Sequence, residues 1–382
     1  MNRGERIRSI GIMHPDCAAR GGAENVIFWE CDELHRRGIA VSVYSRSFPA
    51  DIPKSLTPVY APIGLKLLSW PASATQLGNA LSVHDAVILH NFPAAMHYGF
   101  AADNARKHGR PIPKAIWYCH EPKRPYYGDN AAHCKVLEEK RKRSLRLDEM
   151  NTVRLDKKGV AQVSSIVANS GKSAQHAAAV YGRDVGVVYP GIPDSMLAGK
   201  NAERERRFIF VSRLFALKNV VTPLIAFREF IARNPRSKET FAFVGDGPER
   251  ENIRSLARSL NIADRVEVKG YVNNAELDTL IATSLAVVSV PRTEPFGLLT
   301  LEAWARRTPL ILSADAGSAE IATHGENAII VDPDNPLSIA WAMERIASPS
   351  YARSLGENGY RTLIHRYMIR HHVDGLLARL RH

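Results

Sequence analysis

Short apolar runs rich in valine and isoleucine, separated by amphipathic helical segments, constrain the fold of this chain most strongly. Parallel strands that are buried on both faces have this composition, so the pattern predicts an α/β fold with helices covering parallel sheets. The runs fall into two series, which predict two doubly wound domains. The first series comprises residues 7–13, 40–44, 86–89, 115–118 and 166–168, and the second comprises 208–211, 241–244, 266–268, 286–290, 310–312 and 328–331.

The break between the two series lies after residue 189, where Tyr189-Pro190-Gly191-Ile192-Pro193 leads into a polar stretch without apolar periodicity. We therefore predict a first domain at 1–190, a linker at 191–206 and a second domain at 207–364. Residues 365–382 form a basic amphipathic tail. Its small apolar face favours a surface helix over a membrane contact.

The chain carries 51 Lys and Arg against 39 Asp and Glu, a net charge of +12. Such a charge attracts nucleic acid, anionic lipid or phosphorylated ligands. The basic segment 135–158 contains no aromatic residue to stack on bases, which argues against nucleic acid. No run reaches the roughly 18 apolar residues of a membrane span, and no signal-type apolar region opens the chain. We expect a cytoplasmic protein with peripheral, salt-sensitive contact to the anionic inner face of the membrane.

Three motifs imitate functional sites. Gly171-Lys172-Ser173 ends like a phosphate-binding P-loop, but Ile166 stands where that motif needs a glycine. Asp332-Pro333-Asp334 imitates a metal-binding carboxylate pair, yet Asn335-Pro336 follows it, so we predict a turn and a helix N-cap instead. We interpret His371-His372 as solvated surface residues, and we predict no metal site.

Two cations follow the strand predicted at 208–211, namely Arg213 and, five residues later, Lys218. At the carboxyl end of a parallel strand, the guanidinium of the arginine and the ammonium group of the lysine can bind a diphosphate together. Two solvated loop cations are the alternative. The next strand leads into Gly245-Asp246-Gly247, where glycines permit close approach of a ligand to the same edge.

Two glutamates separated by seven residues, Glu294 and Glu302, follow the strand predicted at 286–290. If a helix begins near Gly297, its free amides face an anion, and Glu302 lies about a turn and a half inside. One carboxylate can then hold sugar hydroxyls and the other ribose hydroxyls. A capped core helix with Glu302 on its surface fits the spacing equally well. In the first domain, Gly21-Gly22 between strand and helix allows a similar anion contact, or serves only as a tight turn.

Together these motifs resemble the retaining glycosyltransferases of family 4, which have the GT-B fold of two doubly wound Rossmann-like domains with a cleft between them. The resemblance extends over most of the chain. The family's sheet-end histidine matches His120, and its Gly-Gly-x-Glu turn matches Gly21–Glu24. The segments that carry the rest are Val167–Ser170, Tyr189–Ile192, Ser212-Arg213 with Lys218-Asn219, Val244–Pro248 and Glu294–Glu302.

The resemblance implies transfer of a hexose, with mannose one candidate, from a nucleotide-diphosphate sugar to a saccharide or lipid-linked acceptor, such as a polysaccharide precursor. Retention of anomeric configuration, no metal and no cofactor are implied. The implied catalytic residues are His120, Glu294, Arg213 and Lys218. The implied donor-binding residues are Gly22, Gly245, Asp246, Phe296, Gly297, Leu298, Leu299 and Glu302, and the implied acceptor-binding residues are Glu24, Arg124 and Tyr126.

Two other readings stay open from the sequence. A phosphorolytic or epimerase-type enzyme of the same fold would use the same residues, and a basic protein that binds nucleic acid or membrane would have the same charge. The chain also departs from the family at Ala316, where a Gly-Gly-x-x-Glu loop usually has its first glycine. The family resemblance further implies that the C-terminal helix returns to the first domain.

Overall fold

A computed structural model describes residues 7–18, 21–61, 70–127, 145–197 and 203–381. The chain forms two compact units. The first comprises Met1–Gly191 with Ile369–His382, and the second comprises Ile192–Met368. The predicted linker residues 192–206 are therefore counted with the second unit. Residues 198–202 of that linker and residues 135–144 of the basic segment lie outside the described residues, as do the side chains of 145–149.

The first unit is built on a parallel sheet, whose described strands run in the order β3-β2-β1-β4-β5-β6-β7. Valine, isoleucine and alanine fill both faces of its central strands, and every residue of β4 is buried. The strands are β1 (Ser9–Met13), β2 (Ala40–Ser45), β3 (Thr57–Tyr60), β4 (Ala86–His90), β5 (Lys114–Cys119), β6 (Ser165–Ala168) and β7 (Val185–Val187). The helices are α1 (Gly22–Arg36), α2 (Trp70–Leu81), α3 (Ala94–Lys107), α4 (Arg124–Tyr127), α5 (Leu145–Val160), α6 (Gly171–Tyr181) and, at the chain end, α13 (Ile369–Arg381).

The second unit repeats this topology on a parallel sheet of order β10-β9-β8-β11-β12-β13 in the described part of the chain. Four fully buried phenylalanines pack together in its core, mostly edge to face: Phe208 in β8, Phe241 in β9, and Phe227 and Phe230 in the helix that follows β8. The strands are β8 (Arg207–Val211), β9 (Thr240–Val244), β10 (Val266–Gly270), β11 (Ala286–Ser289), β12 (Leu310–Ser313) and β13 (Ile329–Val331). The helices are α7 (Val221–Arg233), α8 (Arg250–Ser259), α9 (Asn274–Thr283), α10 (Leu299–Ala305), α11 (Pro336–Ile346) and α12 (Pro349–Arg366).

The two predicted series of strands are confirmed to within two residues at each end, and the doubly wound α/β prediction is confirmed with them. The strands missing from the prediction are β3 and β7, the two edges of the first sheet. Each is short, and Pro58 or Gly186 interrupts its apolar pattern. Proline and glycine are tolerated in edge strands because fewer ladder bonds and less packing depend on them. Edge position therefore explains why their sequence signal is weak.

Helix α13 belongs to the first unit and carries its apolar stripe into the core of that unit. Ile369, Val373, Leu376, Leu377 and Leu380 are all buried there. The expectation of a surface helix holds only for its polar side. His372 is 1% exposed, so its assignment to the solvated surface is wrong: it lies on the buried stripe, one residue before Val373. None of the described helices is long and apolar enough to cross a membrane.

Candidate functional site

In each sheet the strand order reverses direction once, between β1 and β4 in the first unit and between β8 and β11 in the second. Ligands of doubly wound folds bind outside the carboxyl ends of the strands at such a switch point, because the connections on either side diverge and leave a crevice. The predicted site residues cluster at these two edges.

At the switch point of the second unit, the loops after β8 and β11 meet through an ion pair between Lys218 Nζ and Glu294 Oε2. The two side chains are 28% and 21% exposed, so solvent or a ligand can reach the pair. A lysine in a partly exposed pair is held in place yet can turn to a stronger anion. The structure thus brings together two residues that the sequence predicted separately.

Asn219, next to Lys218, fixes the position of this pair. It adopts the left-handed conformation at φ 59° and is 1% exposed. Its side-chain amide donates to the carbonyl of Val290 at 2.9 Å and to that of Pro333 at 2.8 Å, while Thr222 Oγ1 donates to its Oδ1 at 2.7 Å. One buried amide therefore ties the Lys218 turn to the ends of two other strands. Sequence analysis gave Asn219 no role, although asparagine after a short turn is a known sign of positive φ.

The loops after β8 and β9 pack backbone against backbone. At Gly245, φ is 126°, and a Cβ there would collide with the carbonyl oxygen of Ser212. The amide of Leu214 donates to the carbonyl of Asp246 at 2.8 Å. Glycine is required at 245 by this close approach as well as by its backbone angle.

Arg213 is exposed at this edge, with its guanidinium 5.8 Å from the centre of the Phe215 ring. Asp246 is also exposed, and its Oδ1 accepts from the amide of Gly247 at 2.9 Å. An arginine stacked near an aromatic ring keeps its fork of donors available to an anion. Arg213 and Lys218 therefore supply two cations to the same edge.

The helix that carries Glu302 begins at Leu299, two residues later than expected. Gly297 has φ +95°, which excludes it from a right-handed helix, and Leu298 is the cap. Glu302 consequently lies in the first turn of α10, and the predicted depth of a turn and a half is wrong. The amide of Thr300 donates to the carbonyl of Gly297 at 3.2 Å, closing the first turn.

The loop from Glu294 to Gly297 is held by the segment that follows β12. The amide of Gly317 donates to the carbonyl of Glu294, and the amide of Ser318 donates to that of Phe296, both at 2.9 Å. The Phe296 side chain is buried. Ala316, where the family has glycine, has φ −79°, so this position does not need glycine and the departure does not disturb the loop.

Glu302 is half-buried on α10. Burial raises the pKa of its carboxyl above the ordinary value; nearby Arg306 opposes this, and Asp278 adds to it. Arg306 itself forms an ion pair with Asp278 and donates to the backbone carbonyl of Glu302 at 2.9 Å. Because Arg306 contacts Asp278 and the backbone of Glu302, the side-chain oxygens of Glu302 can still accept hydrogen bonds from hydroxyls of a ligand.

The edge of the first unit is formed by histidines from three strand ends. His14 follows β1, His90 ends β4 and His120 follows β5. His90 Nδ1 lies 3.2 Å from His120 Nε2. Burial, with the neighbouring His90 and His14, holds the pKa of His120 well below its usual range. His120 is therefore neutral at pH 7.

A fully buried carboxylate, Glu30 of α1, lies behind these histidines. Its Oε2 is 3.0 Å from His90 Nε2, and its Oε1 is 2.7 Å from His372 Nε2 on α13. Burial would raise the pKa of Glu30, but His90 and His372 outweigh it and lower the pKa to about 2. Glu30, His90 and His14 were missed from sequence. The available signal was Glu30 itself, a charge on the apolar stripe of α1.

The Gly-Gly-x-Glu turn opens α1 with Gly22 as the first helical residue. Glu24 Oε1 lies 3.3 Å from His14 Nε2, and burial raises the pKa of Glu24. Gly22 and Glu24 thus stand at the same edge as His14, where the sequence placed a donor contact and an acceptor contact.

The other two predicted acceptor residues lie on the short helix α4, four and six residues after His120. Arg124 Nε donates to both carboxylate oxygens of Glu121, at 2.8 and 2.7 Å. The ring of Tyr126 packs on Phe92 at 5.5 Å between centres. Both residues lie in the segment that leaves the sheet edge after His120.

Comparison with known proteins agrees with this fold. The model of the family described as Glycosyltransferase Family 4 matches residues 20–195, and the model described as Glycosyl transferases group 1 matches residues 195–362. The chain is 33% identical over 144 residues to an uncharacterized glycosyltransferase of Methanocaldococcus jannaschii, which covers 38% of this chain and 36% of that protein.

It is also 33% identical over 125 residues to the lipopolysaccharide core biosynthesis glycosyltransferase LpsE of Rhizobium meliloti, covering 32% of this chain and 36% of that protein. The matches to these two curated relatives thus span little more than a third of their length. Among solved structures, HepE of Anabaena in complex with UDP superimposes with a TM-score of 0.76 at 16% identity, covering 98% of this chain and 99% of that one. The same protein has been solved with UDP-glucose.

The fold agreement covers both units, and the two family models follow each other along the chain with the boundary near residue 195. The chain therefore belongs to the group 1 glycosyltransferases of family 4, with the GT-B fold.

Proposed function

We propose that this protein transfers a hexose from a nucleotide-diphosphate sugar to a saccharide or lipid-linked acceptor, with retention of anomeric configuration and without a metal ion. The observation that carries the proposal is the partly exposed Lys218–Glu294 pair at the switch point of the second unit, beside exposed Arg213. A leaving diphosphate needs positive charge, and preorganised cations stabilise such a developing charge strongly.

In this proposal Lys218 and Arg213 bind the diphosphate. Lys218 leaves its contact with Glu294 for the phosphate oxygens, which frees the Glu294 carboxylate for hydroxyls of the transferred sugar. Glu302, half-buried on α10, accepts hydrogen bonds from the ribose. Gly245 holds this edge together, because the absence of a Cβ lets its backbone pack against the carbonyl oxygen of Ser212.

The chemistry needs no enzyme nucleophile. The bond from the anomeric carbon to the diphosphate oxygen breaks, and the acceptor hydroxyl forms the new bond on the same face. The leaving phosphate takes the proton of that hydroxyl. Glu294 and His120 orient the sugar while positive charge develops at its anomeric carbon, and the cations carry the negative charge that accumulates on the diphosphate.

The relatives support the two substrate classes. HepE of Anabaena is solved with UDP and UDP-glucose, which supports a nucleotide-sugar donor. LpsE acts in lipopolysaccharide core biosynthesis, which supports a saccharide acceptor on a lipid. The net charge of +12 is consistent with an acceptor presented at an anionic membrane surface.

A donor screen by thermal shift tests the proposal. Nucleotide sugars with different bases and hexoses are compared, and a ligand at 100 times its Kd adds about 2.7 kcal/mol of stability. We expect one donor to stabilise the protein and the matching nucleoside diphosphate to compete with it. Arg213→Ala should lose the shift, and Arg228→Ala, which removes a paired cation on the surface of α7, should keep it. No shift with any nucleotide sugar would contradict the proposal.

A phosphorolytic or epimerase-type enzyme of the same fold remains the second candidate, since the same donor site serves it. The two are separated by the products of the stabilising donor. A transferase releases the nucleoside diphosphate only in proportion to glycosylated acceptor, whereas an epimerase isomerises the donor without any acceptor.

A further inference from the structure

We propose that Glu30, His90 and His372 form a buried relay that fixes His120 as the neutral tautomer with its proton on Nε2. Its Nδ1 can then only accept a hydrogen bond, which it takes from a hydroxyl of the sugar substrate. The inference rests on the proposed function, since it specifies the contact that His120 makes. Glu30, His90 and His372 act through His120 and are positioning residues.

The relay begins at His372, whose two ring nitrogens both face acceptors. Its Nδ1 donates to the carbonyl of Tyr189 at 2.9 Å, and its Nε2 lies 2.7 Å from Glu30 Oε1. A carbonyl oxygen cannot donate, so Nδ1 carries a proton, and an ionised Glu30 requires a second proton on Nε2. In the relay His372 therefore donates from both ring nitrogens, to the carbonyl of Tyr189 on one side and to the Glu30 carboxylate on the other.

The second carboxylate oxygen of Glu30 sets the tautomer of His90. Glu30 Oε2 and His90 Nε2 face each other at 3.0 Å, and neither of these buried atoms has a hydrogen-bond partner among the described residues. The two complement each other because an ionised carboxylate can only accept, so the relay places the His90 proton on Nε2 and a lone pair on Nδ1. A carboxylate behind a histidine fixes the tautomer and the ring orientation of that histidine in the same way in hydrolases.

The lone pair of His90 Nδ1 then decides the state of His120. His120 Nε2 lies 3.2 Å away and has to be the donor, because two lone pairs would repel. With that proton on Nε2 and a pKa well below its usual range, His120 carries none on Nδ1. In the relay, donation therefore runs in one direction: His120 donates to His90, and His90 donates to Glu30.

Tyr118 holds the three rings in place. Its own ring is fully buried and meets the rings of His90, His120 and His372 at 5.4, 4.9 and 5.2 Å between centres. Its hydroxyl donates to the carbonyl of Val188 at 2.8 Å, so the phenol is tethered and does not compete for the histidine nitrogens. These edge-to-face and tilted ring contacts leave little freedom for the imidazoles to turn over.

The relay is tested first on the wild-type protein by long-range ¹H–¹⁵N NMR of ¹⁵N-histidine-labelled protein at pH 7. His120→Asn and His372→Asn identify the two signals. We expect His120 to show a protonated Nε2 and an unprotonated Nδ1, and His372 to show both nitrogens protonated. A proton on His120 Nδ1, or a neutral His372, overturns the relay. This measurement needs no activity, so it holds even if the proposed transferase function fails.

The kinetic arm compares two glutamates of α1 that differ only in their partners. Glu30→Gln removes the charge from the relay, and Glu33→Gln makes the same change in a buried residue that pairs with Arg36 and Arg37 instead. We expect Glu30→Gln to lower kcat about tenfold, less than the roughly 10²–10³-fold expected for a direct transition-state contact, with donor KM within about twofold. Glu33→Gln should keep the wild-type kcat.

Glu30→Asp restores the carboxylate and should recover part of the lost kcat. Wild-type kcat in Glu30→Gln, or equal losses in Glu30→Gln and Glu33→Gln that follow their melting temperatures, would show a purely structural role and overturn the proposal. If Glu30→Gln does not fold, the NMR arm on the wild-type protein decides alone.

Discussion

The two units share one sheet topology and place their site residues at the same switch point, yet the two edges are chemically opposite. In the first unit, the described edge consists of histidines beside the carboxylates of Glu24 and Glu30, with Glu30 and His90 both fully buried. In the second unit, the edge is an open set of cations, glycines and glutamates, with Lys218 and Glu294 both partly exposed. Position in the fold is therefore common to both edges, and burial distinguishes their chemistry.

Burial explains the difference in electrostatics. A buried histidine loses hydration of its charged form, so its pKa falls, as it does at His14 and His120. A partly exposed lysine keeps its hydration and its charge and can exchange one anion for another. The first edge is suited to orient neutral hydroxyls, and the second is suited to bind a charged diphosphate.

Removing Lys218 should produce the largest effect. Lys218→Ala should lower kcat/KM by about 10²-fold or more, the scale of one lost transition-state electrostatic contact. Arg228→Ala serves as the control, because it removes a cation paired with Glu229 on the surface of the same unit. Steady-state kinetics with varied donor measure both. Near-normal turnover of Lys218→Ala would show that the second edge does not act through its cations.

The two glutamates of the second edge should separate kcat from KM. Glu294→Gln, beside the sugar and in contact with Lys218, should lower kcat by about tenfold or more with nucleotide affinity nearly kept. Glu302→Gln should mainly raise the donor KM, since a ribose contact is made in ground and transition states alike. Equal losses of kcat in both variants, with unchanged nucleotide affinity, would contradict this division of roles.

A double-mutant cycle sharpens the same point. Because Lys218 and Glu294 form an ion pair, the effects of Lys218→Ala and Glu294→Gln on donor binding should not add. Isothermal titration calorimetry with the nucleoside diphosphate measures its affinity for the wild type, the two single variants and the double variant. Strict additivity would mean that the pair is not exchanged for phosphate when the nucleotide binds.

Sequence reasoning located the second edge better than the first. Arg213, Lys218, Glu294 and Glu302 stand in short motifs whose spacing along the chain already implies a shared strand end. The depth of Glu302 in its helix was wrong because Gly297 adopts a positive φ, and a sequence does not show which of several possible residues begins a helix.

The first edge depends on long-range contacts. Glu30, His90 and His372 come from α1, β4 and α13, and His372 lies 342 positions after Glu30 in the sequence. No local sequence motif predicts the contact between Glu30 and His372. Only the folded unit brings the C-terminal helix beside α1, which explains why His372 was assigned to the surface. Asn219 was missed for the same reason, since its partners Val290 and Pro333 are distant in sequence.

Mild acid should destabilise the protein through the first edge. The pKa of His14 is lowered from 6.5 to about 3 by burial and by His90, so the unfolded chain binds a proton that the folded chain does not. Stability is therefore complete above pH 6.5 and falls as the pH drops toward 3, by about 2 kcal/mol at pH 5. Urea unfolding at pH 7 and pH 5 measures this loss.

His14→Asn should reduce that dependence on pH, and His35→Asn, at an exposed position of α1, should leave it unchanged. Equal pH dependence in wild type and His14→Asn would mean that the first edge accepts protons in the folded state, contrary to its burial.

The smallest expected effect is that of a chelator, because the second edge supplies its own cations. Arg213 and Lys218 provide the positive charge that a metal ion would bring to a diphosphate. The nearby carboxylates of Asp332 and Asp334 are engaged in the turn before α11: Asp332 Oδ1 accepts from the amide of Asp334 at 2.9 Å, and Asp334 Oδ1 accepts from Arg292 at 2.6 Å. Transfer activity should therefore survive excess EDTA, and added manganese should not raise it. Loss of activity under EDTA that manganese restores would mean that a metal ion supplies the positive charge that stabilises the diphosphate. Lys218→Ala would then be expected to lower kcat/KM by far less than about 10²-fold.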